Sequence, residues 1–192
     1  MRYRGRTTKW LISVALLGAV AFGAGAGVAA ATGPKWIKWN PAKKTVELWI
    51  KAAYNGNNGS WNFNGYYEGR ATIVVPTGTR VLLHFVNPDG NYPHSVAITR
   101  PYGPDEMPDR LGRKQVAISR AYTRSPESGC PSCKEDARFK AKKAGRYALM
   151  CGVVGHAQAG MWLGFEVSDS VSRPKLVVAS DAMGPDDQPP RQ

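Results

Sequence analysis

The chain has 192 residues, 43% apolar and 10% aromatic, which suffices for one packed core plus tails rather than several domains. Its formal net charge is +12, and setting aside the four N-terminal cations Arg2, Arg4, Arg6 and Lys9 leaves +8. With three histidines in all, and no recognisable Ser-His-Asp arrangement, phosphate loop or carboxylate pair, the chain does not read as an enzyme.

The cations precede an uncharged run, Trp10 to Thr32 ("WLISVALLGAVAFGAGAGVAAAT"), that fits a Sec-type signal or an uncleaved signal anchor. The positive flank stays in the cytoplasm and the rest is exported. Ala29 and Ala31 offer an A-x-A cleavage site, yet the run is also long enough to span a bilayer, so both fates stay open. A buried core helix is the poorer reading, because the second half is rich in Gly and Ala. Residues 1–33 are thus expected to be a signal peptide or membrane anchor, and the remainder extracytoplasmic, membrane-anchored or periplasmic/secreted. Export argues against nucleic acid as a partner. Anionic headgroups or an acidic protein suit an exported basic patch better, although scattered solubilising lysines are commoner.

Residues 34–44, within "GPKWIKWNPAKK", read as a linker to a domain over 45–170. Short strands are predicted at Thr45–Ala53, Trp61–Tyr66, Ala71–Val75, Arg80–Asn87, Ser95–Arg100, Gln115–Ala121, Ala137–Ala141, Arg146–Cys151 and Met161–Val167. The segments "PTGTR", "NPDGNYP" and "KKAGR" supply turns between them. No useful helical period appears, so the fold class is all-β, an antiparallel sandwich or barrel. The stretch Pro101–Lys143 is too long for a simple connection and is expected to carry extra strands and a surface excursion. Residues 171–192 are expected to form a C-terminal extension in which "KLVVASDA" adds a strand or packs along the sheet, and "MGPDDQPPRQ" is expected to be disordered.

Between the last two long strands lies "YALMCGVVGHAQAGMW", which sets Cys151, His156 and Met161 at C-x4-H-x4-M. A thiolate, an imidazole and a thioether form a soft donor set suited to copper. A short loop closing a hairpin turns the Cys that leaves one strand and the Met that enters the next toward a common point, with the His at the tip. Gly152, Gly155 and Gly160 allow its tight turns. A third strong donor must come from His84 or His94. His84 sits in the strand interior "RVLLHFVN", where a histidine is ordinarily just a packed side chain. His94 follows a turn at a strand end, where sites are usually built, and is chosen. Two imidazoles, one thiolate and a distant thioether are the blue-copper electron-transfer set.

On these residues the chain resembles the cupredoxins, and among them sulfocyanin and rusticyanin. "CGVVGHAQAGMW" is similar to their Cys-loop-His-loop-Met segment and "PHSV" to their upstream ligand segment, over roughly residues 60–168. The resemblance implies a Greek-key β-sandwich, one type 1 copper ion on His94, Cys151, His156 and Met161, and outer-sphere electron transfer. It also implies membrane association, which suits the N-terminal segment, and redox partners such as cytochromes or a terminal oxidase complex. Most cupredoxins carry Asn after the upstream His. Here Ser95 stands, whose hydroxyl can still bond across the site.

Cys130 and Cys133 in "SGCPSCKED" are not part of that pattern. Lys134 in place of His excludes c-type haem attachment, and a thioredoxin-like dithiol wants a βαβ setting. A local disulfide pinning a long loop is expected, with a second soft-metal site as the alternative. The histidine count excludes a multicopper oxidase or a copper nitrite reductase. One-electron shuttling follows, with His156 as the ligand whose edge reaches solvent, ringed by Val153, Val154, Ala157, Ala159 and Trp162. An extracytoplasmic copper-trafficking or storage module, and a metal-free sandwich with a buried thiol, remain as alternatives.

Overall fold

Alternation of branched or aromatic residues with polar ones makes strands wherever one face can be buried. The structure, a computed structural model, describes residues 33–103 and 106–180. Within them run strands β1 (Ile37–Asn40), β2 (Thr45–Lys51), β3 (Ala71–Pro76), β4 (Arg80–Asn87), β5 (Ala97–Thr99), β6 (Cys133–Lys140), β7 (Gly145–Met150), β8 (Trp162–Ser168) and β9 (Lys175–Val178). They form two sheets, ordered β1-β2-β4-β6 and β5-β7-β8-β3-β9.

In β4 the period of two is plain: Val81, Leu83 and Phe85 are buried while Leu82, His84 and Val86 lie on the outer face. The buried face meets Ile73 and Val75 of β3 and Leu163, Phe165 and Val167 of β8 in one core. Phe139 of β6 crosses it to meet Phe165 edge-on, ring centroids 6.1 Å apart.

The all-β expectation holds, but the sheets are mixed rather than antiparallel. β2 pairs with β4 in parallel, and β3 with β8 likewise. The chain passes from β2 to β3 in the other sheet and back to β4, and those two reversals leave β2 and β4 pointing the same way.

Several boundaries differ from expectation. The segment read as a linker carries β1, antiparallel to β2 with Ile37 opposite Leu48, and Trp36 beside it is buried. Residues 61–66 form no strand. Asn62 there accepts from the Tyr54 and Gly65 amides and donates to the Asn55 and Asn57 carbonyls, so its side chain replaces a ladder partner. Residues 115–121 form no strand either. A 3-10 turn, Arg113–Gln115, opens this stretch, and the chain touches β5 through single pairings, Val116 with Thr99 before Arg120 turns the chain at φ +65° and Tyr122 with Ala97 after it. β6 begins at Cys133, earlier than expected, because the charged run "CKEDARFK" keeps one edge of its period in solvent.

The excursion after β5 is not wholly superficial. Met107 and Leu111 build a second apolar layer on Ala148, Met150 and Ala157, and Trp162 packs against it. "KLVV" supplies β9, antiparallel to β3. Residues 1–32 and the tail from 181, with the readings placed on them, lie outside the described residues. Among the described residues no helix is long and apolar enough to cross a membrane.

Candidate metal centre

Antiparallel pairing of β7 with β8 builds the site. Met150 lies opposite Trp162, so Cys151 leaves one strand just where Met161 enters the other. The Cys151 amide donates to the Met161 carbonyl at 3.0 Å, and the Met161 amide donates to the His156 carbonyl at 3.0 Å. Of the three glycines, Gly155 (φ +78°) and Gly160 (φ +91°) take left-handed turns. Gly152 serves differently: a Cβ there would lie 2.5 Å from the Pro126 carbonyl oxygen.

His94 comes from a separate segment, at the end of the turn that follows β4. His94, Cys151 and His156 are 2%, 0% and 8% exposed. One donor atom from each lies within 4.8 Å of the other two. Cys151 Sγ is 3.4 Å from His156 Nδ1, and the two imidazoles sit 5.0 Å apart at 55°. His84 is remote from this cluster. On the outer face of β4 its ring stacks on Trp49 at 4.3 Å and its Nδ1 meets Asp136 at 2.9 Å. Met161 is fully buried in the same core as Cys151 and Val153.

The electrostatics suit a cation. Burial pushes the Cys151 thiol up, opposed by the Val153 and Ser95 amides and the Ser95 hydroxyl. Burial holds His94 below its ordinary value, against the pull of the Asp89 carboxylate. Burial and the neighbouring His94 together hold His156 down at about 4. His94 Nδ1 is buried with no hydrogen-bond partner. Neutral imidazoles and an orphaned nitrogen beside a sulfur leave lone pairs that a soft metal ion satisfies, so the residues fit copper.

Ser95 ties the ligand segments together. The Gly152 amide donates to its Oγ at 2.9 Å, while the hydroxyl donates to the Pro126 carbonyl at 2.6 Å, and Oγ stands 3.8 Å from Cys151 Sγ. Trp61 was missed from the sequence. Its ring lies 4.3 Å from that of His156 and 5.8 Å from that of His94, with Tyr92 edge-on at 5.8 Å. Asn58 latches this turn to the ligand loop by donating to the Ala159 carbonyl at 2.6 Å. The signal was present in "NGNNGSWNFNG", whose Asn and Gly content is turn chemistry, not strand chemistry. Of the residues expected to ring His156, Val154 is exposed, Val153 and Ala157 are buried, and Trp162 packs in the second layer.

Cys130 and Cys133 form a disulfide, which leaves Cys151 as the free thiol.

An all-β sandwich with a buried thiol and a buried imidazole on one hairpin loop, joined by a second buried imidazole from another segment, is the architecture of a cupredoxin, a blue copper protein. The sulfocyanin (SoxE) domain matches residues 32–178, and the chain belongs to that family. It is 29% identical over 144 residues to a sulfocyanin of Sulfolobus acidocaldarius, covering 73% of this chain and 72% of that protein. Among solved structures it is similar to rusticyanin from Thiobacillus ferrooxidans, at 23% identity and TM-score 0.46 over 70% of this chain and 88% of that one. It is also similar to dithionite-reduced auracyanin from Roseiflexus castenholzii, at 17% identity and TM-score 0.43 over 64% and 96%. Its cofactor is one type 1 copper ion, and its class carries electrons.

Two outcomes follow from this geometry. Removing the Ser95 hydroxyl strands a buried amide and a buried carbonyl, so Ser95→Ala should lower the unfolding free energy by about 1–3 kcal/mol in urea titration of the metal-free protein. An unmoved midpoint would show those bonds to be absent. For His156, the folded value of about 4 lies below the unfolded 6.5, so between them the unfolded chain binds the extra proton. Stability of the metal-free protein should therefore fall as pH drops from 6.5 to 4, by at most about 3 kcal/mol from this residue and its interaction with His94, with little contribution above 6.5. Urea midpoints across that range, compared with His156→Gln, isolate the effect; equal slopes in the two proteins would contradict it.

Proposed function

We propose that this chain is a one-electron shuttle whose copper would be held by Cys151, His94 and His156, with Met161 as a weaker fourth donor, and which serves redox proteins outside the cytoplasm. The observation that carries this reading is the dry, converging cluster of the three donors, at most 8% exposed and within 4.8 Å of one another. When bound, copper supplies the Cu(I)/Cu(II) couple. Cys151 acts as thiolate, its charge favoured by the cation and by the Val153 and Ser95 amides that already face it. His94 and His156 hold neutral nitrogens ready, so no proton has to leave them near pH 7. The backbone pairing of Cys151 with Met161 keeps the loop from opening between the two redox states. His156, the least buried donor, serves as the outlet, beside exposed Val154.

A trafficking or storage module would leave its donors open to exchange, and the burial of these argues against it. Placement outside the cytoplasm is supported by the uncharged run Trp10–Thr32 and by the disulfide, which persists in oxidising compartments. The same run supports membrane association, and cytochromes or a terminal oxidase complex are the partners that suit such a carrier.

Adding Cu(II) to the purified protein should give a stable, intense blue colour; colourless, readily exchanged copper would favour trafficking instead. Cys151→Ser should abolish the band, because a hydroxyl cannot reproduce the soft thiolate donor, whereas His84→Gln should leave it unchanged. A blue Cys151→Ser protein would overturn the assignment.

The axial position is read by voltammetry. Glutamine offers a harder oxygen that favours Cu(II), so Met161→Gln should bind copper and show a lower reduction potential. Met161→Leu, lacking any donor, should show a higher one. Potentials that move the same way in both variants, or not at all, would remove Met161 from the ligand set.

A further inference from the structure

The Cys130–Cys133 disulfide has no part in the copper chemistry, yet it lies against the ligand that comes from outside the Cys-His-Met loop. Its segment, "SPESGCPSC", touches both halves of the site. At one end the Pro126 carbonyl takes the Ser95 hydroxyl at 2.6 Å and abuts the backbone just after Cys151, where a Cβ on Gly152 would be 2.5 Å from that oxygen. In the middle Gly129 sits at φ +63°, and a Cβ there would come within 2.7 Å of a Val153 methyl and 2.8 Å of the His94 carbonyl oxygen. Cys130 then pairs with His94 itself: its amide donates to the His94 carbonyl at 3.0 Å, and the His94 amide donates back at 3.4 Å.

This pairing is tied to the sheet twice. Asn87, the last residue of β4 and 1% exposed, donates to the Cys130 carbonyl at 2.7 Å and to the Tyr92 carbonyl at 2.9 Å, so one amide group holds both the disulfide segment and the arm that carries His94. The disulfide supplies the second tie. It joins Cys130 to Cys133, the first residue of β6, which stands opposite Asn87 in the ladder. A crosslink closing so short a loop constrains the unfolded chain less than a long-range one does, so its value is in what it holds still. What it holds is the peptide against which His94 is paired.

We propose that residues 125–133, closed by this disulfide, are a positioning element of the copper site that fixes His94 relative to Cys151. The proposal rests on the ligand assignment given above. Cys130 and Cys133 act through His94 rather than on the metal.

The test uses the full copper-loaded chain and two variants, Cys130→Ser/Cys133→Ser and Gly129→Ala, the second of which keeps the disulfide but pushes on the His94 carbonyl. Transfer of Cu(I) to the chelator bicinchoninate should run about ten- to hundred-fold faster in both, as when an outer partner of a metal ligand is lost. The visible band and the reduction potential should shift as well. Urea midpoints of the metal-free proteins provide the control. Release that quickens only in step with a lowered midpoint, with band and potential unmoved, overturns the proposal, because the disulfide then merely stabilises the fold. Unchanged release in both variants also overturns it and leaves the ligands intact. A wild-type protein with no blue band would instead defeat the ligand assignment beneath it.

Discussion

Three polar groups that would each be better solvated in water are buried together at one end of this sandwich. A thiol and two imidazoles at 0–8% exposure carry a desolvation cost that nothing among the described side chains fully offsets, as the unpartnered His94 Nδ1 shows. The fold supports that cost by holding the groups on backbone that is itself paired. Cys151 is paired with Met161, His94 with Cys130, and the His156 carbonyl takes the Met161 amide. Each donor is thus part of the hydrogen-bonded scaffold, and a copper ion is the species whose chemistry turns the cost into binding.

The burial that makes the site unfavourable when empty also makes it useful when filled. An apolar enclosure of Phe63, Val96, Val153 and Leu163 in the same core as Cys151 weakens solvent screening. A close-packed wall also resists displacement, because its neighbours have no void into which to relax. Trp61 adds to this by lying against both imidazoles, which leaves His156 a narrow edge toward solvent instead of an open face.

What could be read from the sequence was what local spacing fixes. The C-x4-H-x4-M interval of Cys151, His156 and Met161 is set by a single hairpin, and a hairpin's geometry belongs to its own residues. His94 was separated from His84 by position, a strand end beside a turn against a strand interior; the structure adds that alternation in "RVLLHFVN" turns Val81, Leu83 and Phe85 inward and so turns His84 outward, onto Trp49. The rest depends on distant partners. β1 exists because Ile37 finds Leu48, not because four residues of "IKWN" demand a strand, and the parallel pairs depend on which sheet each crossing enters. Trp61 was misplaced because its aromatic neighbours suggested a strand while the asparagines around it, through Asn62 and Asn64, were building a loop.

Ser95 and Asn87 show how one requirement can be met by divided means. In the general cupredoxin pattern an asparagine after the upstream histidine joins two ligand segments; here Ser95 reaches only as far as Gly152 and Pro126. A hydroxyl offers one donor and cannot also hold the arm carrying His94. Eight residues before Ser95, that second task falls to Asn87, whose amide bridges Tyr92 and Cys130. Residues 125–133 lie between the ligand arms and bring their own backbone to both. The histidine from outside the ligand loop, the donor with the longest chain path to the other two, is thereby held through its backbone pairing with Cys130 and through the arm that Asn87 ties to the sheet.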